Sequence, residues 1–81
     1  MMQEFREYPP DSETVTSYDR QCFKLYVMLL EADAFGAAWD EVYEWAFGRD
    51  IGKIPEIARC QYFAHLKRAK WMTEHGYRQL L

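Results

Sequence analysis

The amino-acid sequence predicts a small all-α protein built from three helices. Apolar residues recur at spacings of three and four in three separate segments, as they do on one face of an α-helix. No segment shows the two-residue alternation of a half-buried strand, and glycines separate the periodic segments. A chain of 81 residues has room for one domain with a small core, to which its abundant aromatic side chains contribute.

Residues 1–15 are predicted to form a disordered acidic tail, and residues 16–81 the folded domain. The tail has no apolar period and contains the adjacent prolines Pro9 and Pro10. Segments of this kind rarely order without an anchor. Phe5 and Tyr8 are the tail residues that could dock, either on the domain or on a partner.

The first helix is predicted from Ser17 to about Ala32 or Asp33. Thr16 can accept a hydrogen bond from an N–H group of the first turn, and Asp19 completes the pattern of a capping box. The face expected to pack in the core contains Tyr18, Cys22, Leu25, Tyr26, Leu29 and Leu30.

The second helix is shorter, from about Ala37 to Phe47, after the break in the pattern at Phe35-Gly36. Gly48 is expected to end it. Its apolar face contains Trp39, Val42, Tyr43, Ala46 and Phe47, and its outer face contains the acids Asp40, Glu41 and Glu44.

A loop over residues 48–53 follows, beneath which we expect Ile51 to pack. The third helix begins near Pro55, which suits a first turn, and ends at His75-Gly76. Its core stripe contains Ala58, Tyr62, Leu66, Ala69 and Met72, and a second stripe, predicted to face outward, contains Cys60, Phe63, Lys67, Lys70 and Trp71. Residues 77–81 could add a short C-terminal turn that packs through Tyr77 and Leu80.

A short second helix joined through a glycine-containing turn to a third is the outline of a helix-turn-helix. The connection here is longer than the usual three to four residues. A plain three-helix domain without the geometry of a DNA reader fits the same periodicity.

Charge is divided unevenly along the chain, whose total is −3. Residues 1–50 contain four basic and eleven acidic residues, a net −7, whereas residues 51–81 contain six and two, a net +4. Such asymmetry can mark an interaction surface, and it is equally compatible with an ordinary solvated helix.

Three strings in the sequence resemble a known family. Thr16-Ser17-Tyr18-Asp19 opens the first helix, Gly36-Ala37-Ala38-Trp39-Asp40-Glu41-Val42 opens the second, and the string from His65 to Tyr77, HLKRAKWMTEHGY, closes the domain. Together they resemble the helix-turn-helix variant domain of RovC-type transcriptional regulators and of excision activators from integrative and conjugative elements. The resemblance covers residues 16–81 and implies a helix-turn-helix fold.

Family members that activate transcription join this domain to further segments, whereas an acidic copy of about this length is similar to the QseM-type antiactivators. The resemblance implies two protein partners, an FseA-like excision activator and a TraR-like quorum-sensing regulator of the LuxR family. Binding to both would repress excision and conjugative transfer of the element. We expect a cytoplasmic monomer that does not bind DNA on its own.

The residues allow a separate test between reading DNA and binding protein. A DNA-reading helix offers Arg, Lys, Asn or Gln near its N-terminus to base edges, and the third helix offers only Arg59 and Gln61 there. Lys67, Arg68 and Lys70 lie further along, where they could meet phosphate or an acidic protein. The acids of the second helix would weaken binding to phosphates, which supplies much of the affinity for duplex DNA.

Outward aromatic groups beside cations are typical of a protein-binding hot spot. The alternative is that Phe63 and Trp71 are core residues of a helix rotated from this assignment. The predicted partner-binding residues are Arg59, Cys60, Phe63, Lys67, Lys70 and Trp71, and the predicted DNA-disfavouring face is Asp40, Glu41 and Glu44. A DNA-binding transcriptional regulator or excision factor is the alternative function.

Other functions are not favoured. The sequence has no glycine-rich phosphate loop and no serine with a spaced base, so we expect no enzyme, no cofactor and no small-molecule substrate. Cys60, His65 and His75 lack metal-ligand spacing, and Cys22 and Cys60 are interpreted as free thiols. No apolar run suggests a signal peptide or a membrane span.

Overall fold

A computed structural model describes residues 5–6, 8–48, 51–52 and 55–76, and within these residues the protein is all-α. The predicted fold class is confirmed in this respect, while the helix-turn-helix assignment stays a prediction. No helix among the described residues is both long enough and apolar enough to cross a membrane. The helices are α1 (Ser17–Gln21), α2 (Phe23–Ala34), α3 (Trp39–Phe47) and α4 (Pro55–Trp71), and a π-helical turn, Met72–Gly76, follows α4.

The predicted capping box opens α1. The Thr16 hydroxyl accepts from the backbone N–H of Asp19 at 3.2 Å, and the Asp19 carboxylate accepts from the backbone N–H of Thr16 at 2.9 Å. Each residue therefore satisfies a donor that the start of a helix leaves without an intrahelical partner.

The first predicted helix is two helices rather than one. Cys22, between α1 and α2, has a ψ of 8°, which departs from the α-helical value. Its carbonyl still accepts from the N–H of Tyr26 at 2.8 Å, so the two segments remain consecutive. Apolar spacing follows the direction of side chains and does not report a change in one backbone angle, so the sequence did not predict the break.

Two glycines in the left-handed conformation bracket α3. Gly36, with a φ of 70°, lies just after α2, and Gly48, with a φ of 67°, ends α3 as predicted. Helix α3 begins at Trp39, two residues later than Ala37, where the sequence predicted it to begin. L-amino acids with a side chain rarely adopt such φ values, so both positions favour glycine.

The core lies where α4 packs against α2 and α3. The predicted apolar faces are confirmed: all five residues of the core stripe of the third predicted helix are buried, and the facing residues of the other helices are buried or, at Leu30, Trp39 and Ala46, partly buried against the core. Ile51 is partly buried against this core, as expected. The C-terminal turn predicted over residues 77–81 lies outside the described residues. The buried apolar residues are Tyr18, Cys22, Leu25, Tyr26, Leu29, Val42, Tyr43, Phe47, Ala58, Tyr62, Leu66, Ala69 and Met72.

The described residues of the predicted tail, 5–6 and 8–15, form neither helix nor strand but contact the helices; we call them the N-terminal segment. The Phe5 ring packs edge-on against Phe47, with centroids 5.3 Å apart. Arg68 donates to the carbonyl oxygens of Ser12 and Thr14. The sequence did not predict these hydrogen bonds, through which buried polar groups of α4 find their partners in this backbone.

Candidate functional site

The outer face of α4 presents the predicted partner-binding residues in one stripe. Arg59, Phe63, Lys67 and Lys70 are separated by three or four positions, which places them on one side of a helix. All four are exposed, because the other side of α4 supplies the core. The structure therefore brings these four predicted residues together on one surface.

Phe63 lies at the centre of this stripe, with 43% of its surface exposed. Its ring packs edge-on against Tyr62, with centroids 5.1 Å apart, and lies 6.2 Å from the ring of Trp39. The Arg59 guanidinium lies 5.9 Å from the centre of the Phe63 ring. The ring is thus supported on its inner side and open to solvent on its outer side.

The two lysines of the stripe differ in their surroundings. The Lys70 Nζ lies 3.3 Å from an oxygen of Asp33 on α2, in a pair exposed on both sides. Lys67 has no ion-pair partner among the described residues. Of these two lysines, Lys67 is therefore the more open to an external carboxylate or phosphate.

Trp71 and Cys60 lie at the edge of the stripe. Trp71 is half-buried, and the Arg68 guanidinium lies 3.9 Å above the centre of its ring. Cys60 is an exposed free thiol. In the alternative interpretation, Phe63 and Trp71 are both core residues. Neither ring is fully buried, since Phe63 is exposed and Trp71 is half-buried.

The predicted acidic face is exposed on α3. Asp40, Glu41 and Glu44 all face solvent, and Trp45 beside them is 71% exposed. Trp45 was not predicted as a surface residue, although its position four residues after Glu41 already implied an outward direction. The exposed surface of α3 therefore combines three carboxylates with one large ring.

Two residues considered as DNA contacts are not available at the surface. Gln61, one of the two candidate base-reading residues, is buried, and only 6% of Arg68 is exposed. The Arg68 Nε and Nη2 donate to the two oxygens of Asp19 at 2.9 and 2.7 Å, and Nη1 and Nη2 donate to the carbonyls of Ser12 and Thr14 at 2.6 and 3.0 Å. The expectation that Arg68 meets phosphate or an acidic partner is therefore wrong, because its guanidinium is buried and donates four hydrogen bonds inside the protein.

Asp19 is fully buried and accepts from several donors besides Arg68. The Tyr26 hydroxyl donates to Oδ1 at 2.9 Å, and both the N–H and the hydroxyl of Thr16 donate to Oδ2. Burial by itself raises the pKa of Asp19, but these bonds, led by Arg68, outweigh it and lower the pKa to about 2. Burial and the bond to this carboxylate raise the pKa of Tyr26 well above its ordinary value.

A second buried network centres on His65. The backbone carbonyl of Gln61 can only accept, so Nδ1 of His65 carries the proton in that 2.7 Å bond. Nε2 therefore accepts from the Tyr18 hydroxyl at 2.7 Å, and the Tyr18 oxygen in turn accepts from the N–H of Arg6 at 2.9 Å. Burial lowers the pKa of His65, which keeps the ring neutral and preserves this order of donors.

Gln61 completes the connection to the N-terminal segment. Its Oε1 accepts from the Tyr43 hydroxyl at 2.6 Å, and its Nε2 donates to the carbonyl of Arg6 at 2.9 Å. Gln61, His65 and Arg68 thus form a buried polar stripe on α4. Their spacing of four and three residues was visible in the sequence and could have indicated that an additional segment covers α4.

The side chains of Cys60, His65 and His75 do not converge on a metal site. His65 uses both ring nitrogens in internal hydrogen bonds, whereas Cys60 and His75 are exposed. Within the described residues, no group of three or more His, Cys, Asp or Glu side chains is arranged to hold a metal ion.

Comparison with known proteins gives no assignment. No protein-family model matches the chain, and a search of curated proteins returned no significant match.

Proposed function

We propose that this protein is a non-catalytic antiactivator that binds transcriptional activators through the outer face of α4. The observation that carries the proposal is the exposure of Phe63 among the cations Arg59, Lys67 and Lys70. A large ring with a polar surround matches the composition of protein-binding hot spots, in which aromatic and arginine side chains dominate the binding energy.

The identity of the partners follows from the resemblance to QseM-type antiactivators. The proposed targets are an FseA-like excision activator and a TraR-like regulator of the LuxR family. A monomer of this protein bound to either target represses excision and conjugative transfer of an integrative and conjugative element. No reaction and no cofactor enter this mechanism, because occupying the activator is sufficient.

The distribution of charge favours a protein partner over DNA. Gln61 and Arg68 are held in internal hydrogen bonds, which leaves Arg59 as the suitable base-reading residue near the start of α4. Glu56 is exposed in the same first turn. Together with the carboxylates on α3, it reduces the electrostatic attraction to phosphate on which affinity for duplex DNA depends.

The test compares two triple variants of matched composition. Phe63→Ala, Lys67→Glu and Lys70→Glu together alter the outer face of α4. Arg20→Glu, Lys24→Glu and Phe35→Ala make the same kinds of change at exposed positions outside α4. Dissociation constants for an FseA-type and a TraR-type activator are measured by biolayer interferometry, and circular dichroism checks that each variant is folded.

We expect the α4 variant to bind at least about a hundredfold more weakly, as expected when a hot-spot ring and two complementary charges are lost together. The control variant should bind like the unaltered protein. Unchanged binding by a folded α4 variant contradicts the proposal. Retardation of duplex DNA by the unaltered protein, falling steeply with salt, would support the DNA-binding alternative instead.

A further inference from the structure

We propose that the groove between the N-terminal segment and α4 receives one aromatic side chain carried on an acidic segment of the activator. This inference rests on the proposed function and names the chemistry of the partner. The groove encloses about 340 Å³, with Tyr8 to Asp11 on one side and Lys67 and Trp71 on the other. It is continuous with the outer face of α4, because Lys67 belongs to both.

The wall formed by the N-terminal segment is fixed on both sides of the groove. Before Tyr8, the carbonyl of Arg6 accepts from buried Gln61 at 2.9 Å; after Asp11, the carbonyl of Ser12 accepts from Arg68 at 2.6 Å. Pro9 and Pro10 further restrict the backbone between these anchors. A ligand therefore meets a preformed groove and loses little affinity to ordering of the chain.

Rings line the groove on both sides. The Arg68 guanidinium lies 3.9 Å above the Trp71 ring and is itself held by Asp19, so Trp71 packs against an anchored neighbour. Tyr8 on the opposite side is 57% exposed. An aromatic side chain entering between them can make offset or edge-to-face contacts with both rings, which add to the gain from burying its apolar surface.

The charges around the groove indicate which residues should flank the bound aromatic side chain. Lys67 at the rim has no ion-pair partner among the described residues, so a carboxylate beside the bound ring can pair with it. The next exposed cation along α4 is Lys70, which extends the same preference. Asp11 lies on the other wall, so the favoured position for a carboxylate of the ligand is beside Lys67.

The experiment uses the full chain, isotopically labelled, and three probes. They are the acidic peptide acetyl-Glu-Asp-Trp-Asp-Glu-amide, the basic peptide acetyl-Lys-Arg-Trp-Arg-Lys-amide and an oligothymidine. Binding is followed by nuclear magnetic resonance at the indole N–H of Trp71 and the backbone N–H of Lys67. We expect a saturable shift at both positions with the acidic peptide, and at least about tenfold weaker binding of the other two probes.

Variants locate the site. Lys67→Glu should weaken the acidic peptide at least about tenfold, because it replaces an attractive pair by a repulsive one. Tyr8→Ala changes an exposed side chain and is expected to weaken binding of the acidic peptide without loss of the fold. A substitution of Trp71 is avoided, because this ring is half-buried and its removal could unfold the protein. Arg20→Glu, outside the groove, is the control. No saturable shift at Trp71, or preferential binding of the oligothymidine, overturns the inference.

The same variants separate this inference from the proposed function. If Tyr8→Ala weakens activator binding as well as peptide binding, the groove is part of the interface. If the α4 triple variant loses activator binding and Tyr8→Ala retains it, the groove assignment fails and the antiactivator proposal stands. If the acidic peptide binds in the groove and neither variant affects the activators, the proposed function fails and so does this inference about the activator.

Discussion

At the scale of single residues, the most demanding feature is the fully buried carboxylate of Asp19 facing Arg68. The planar guanidinium matches the carboxylate with two parallel hydrogen bonds, and two more of its N–H donors are used by main-chain carbonyls. Among the described side chains that are not exposed, no buried nitrogen or oxygen lacks a partner. The pair is therefore complete, and removing either member leaves the other buried without compensation.

Asp19→Asn should destabilise the protein by about 3 kcal/mol or more, because it leaves the Arg68 charge buried without its counter-ion. The measurement is urea unfolding followed by circular dichroism at pH 7. Lys70→Gln is the control, since it breaks the exposed pair with Asp33 and should change stability by less than about 1 kcal/mol. Equal effects of the two substitutions would contradict the assigned role of burial.

His65 should make stability depend on pH. The folded protein holds its pKa below the ordinary value of about 6.5, so the unfolded chain takes up the proton first as pH falls. The contribution of neutral His65 is therefore complete above about pH 6.5 and is lost progressively below it. The urea concentration at the midpoint of unfolding should therefore decrease when the pH is lowered from 7.5 to 5.5.

His65→Gln removes this ionisation and should flatten that part of the pH profile, although the variant is less stable overall. His75→Gln, which changes the exposed histidine, is the matched control and should preserve the slope. A slope that survives in His65→Gln and disappears in His75→Gln would show that another group is responsible.

At the scale of helices, the start of α1 joins local and tertiary structure. The Thr16 hydroxyl caps the helix and also donates to the Asp19 carboxylate at 3.0 Å. Thr16→Ala should cost about 1 to 2 kcal/mol, through loss of the cap and of this bond. Thr16→Ser preserves the hydroxyl and should cost less than half as much. The same unfolding measurement compares them, and equal losses would indicate that the methyl group matters instead.

The helices could be predicted because their apolar spacing and caps are local. The capping pair Thr16 and Asp19, the stop at Gly48 and the core stripe of α4 needed no knowledge of the rest of the chain. The break at Cys22 was missed because it changes one backbone angle while leaving the apolar face intact.

The candidate site was predicted in part, for a related reason. Exposure of Phe63 and Lys67 follows from helical period alone. The interior position of Arg68 does not, because it depends on Asp19, 49 residues earlier, and on carbonyls of the N-terminal segment. A charge with a distant partner cannot be distinguished from a solvated charge by spacing, so sequence reasoning assigned Arg68 to the surface.

At the scale of the whole molecule, charge of opposite sign lies on the outer faces of neighbouring helices. Helix α3 exposes Asp40, Glu41 and Glu44, and α4 exposes Arg59, Lys67 and Lys70. The overall charge of −3 opposes association with nucleic acid, while the cationic face of α4 remains open to an acidic protein surface. The proposed function depends on this separation as well as on the exposed ring of Phe63.

Replacing the three α3 acids by lysine tests whether these acids oppose DNA binding through their position on α3 or only through their contribution to the net charge. The substitutions Asp40→Lys, Glu41→Lys and Glu44→Lys raise the net charge by six and should produce DNA retardation at low salt that falls steeply as salt increases. The control makes the same change of charge at the exposed positions Glu13, Glu31 and Glu74. If the α3 acids oppose DNA at a specific surface, the control should bind at least about tenfold more weakly at equal salt, whereas equal binding would reduce their role to net charge.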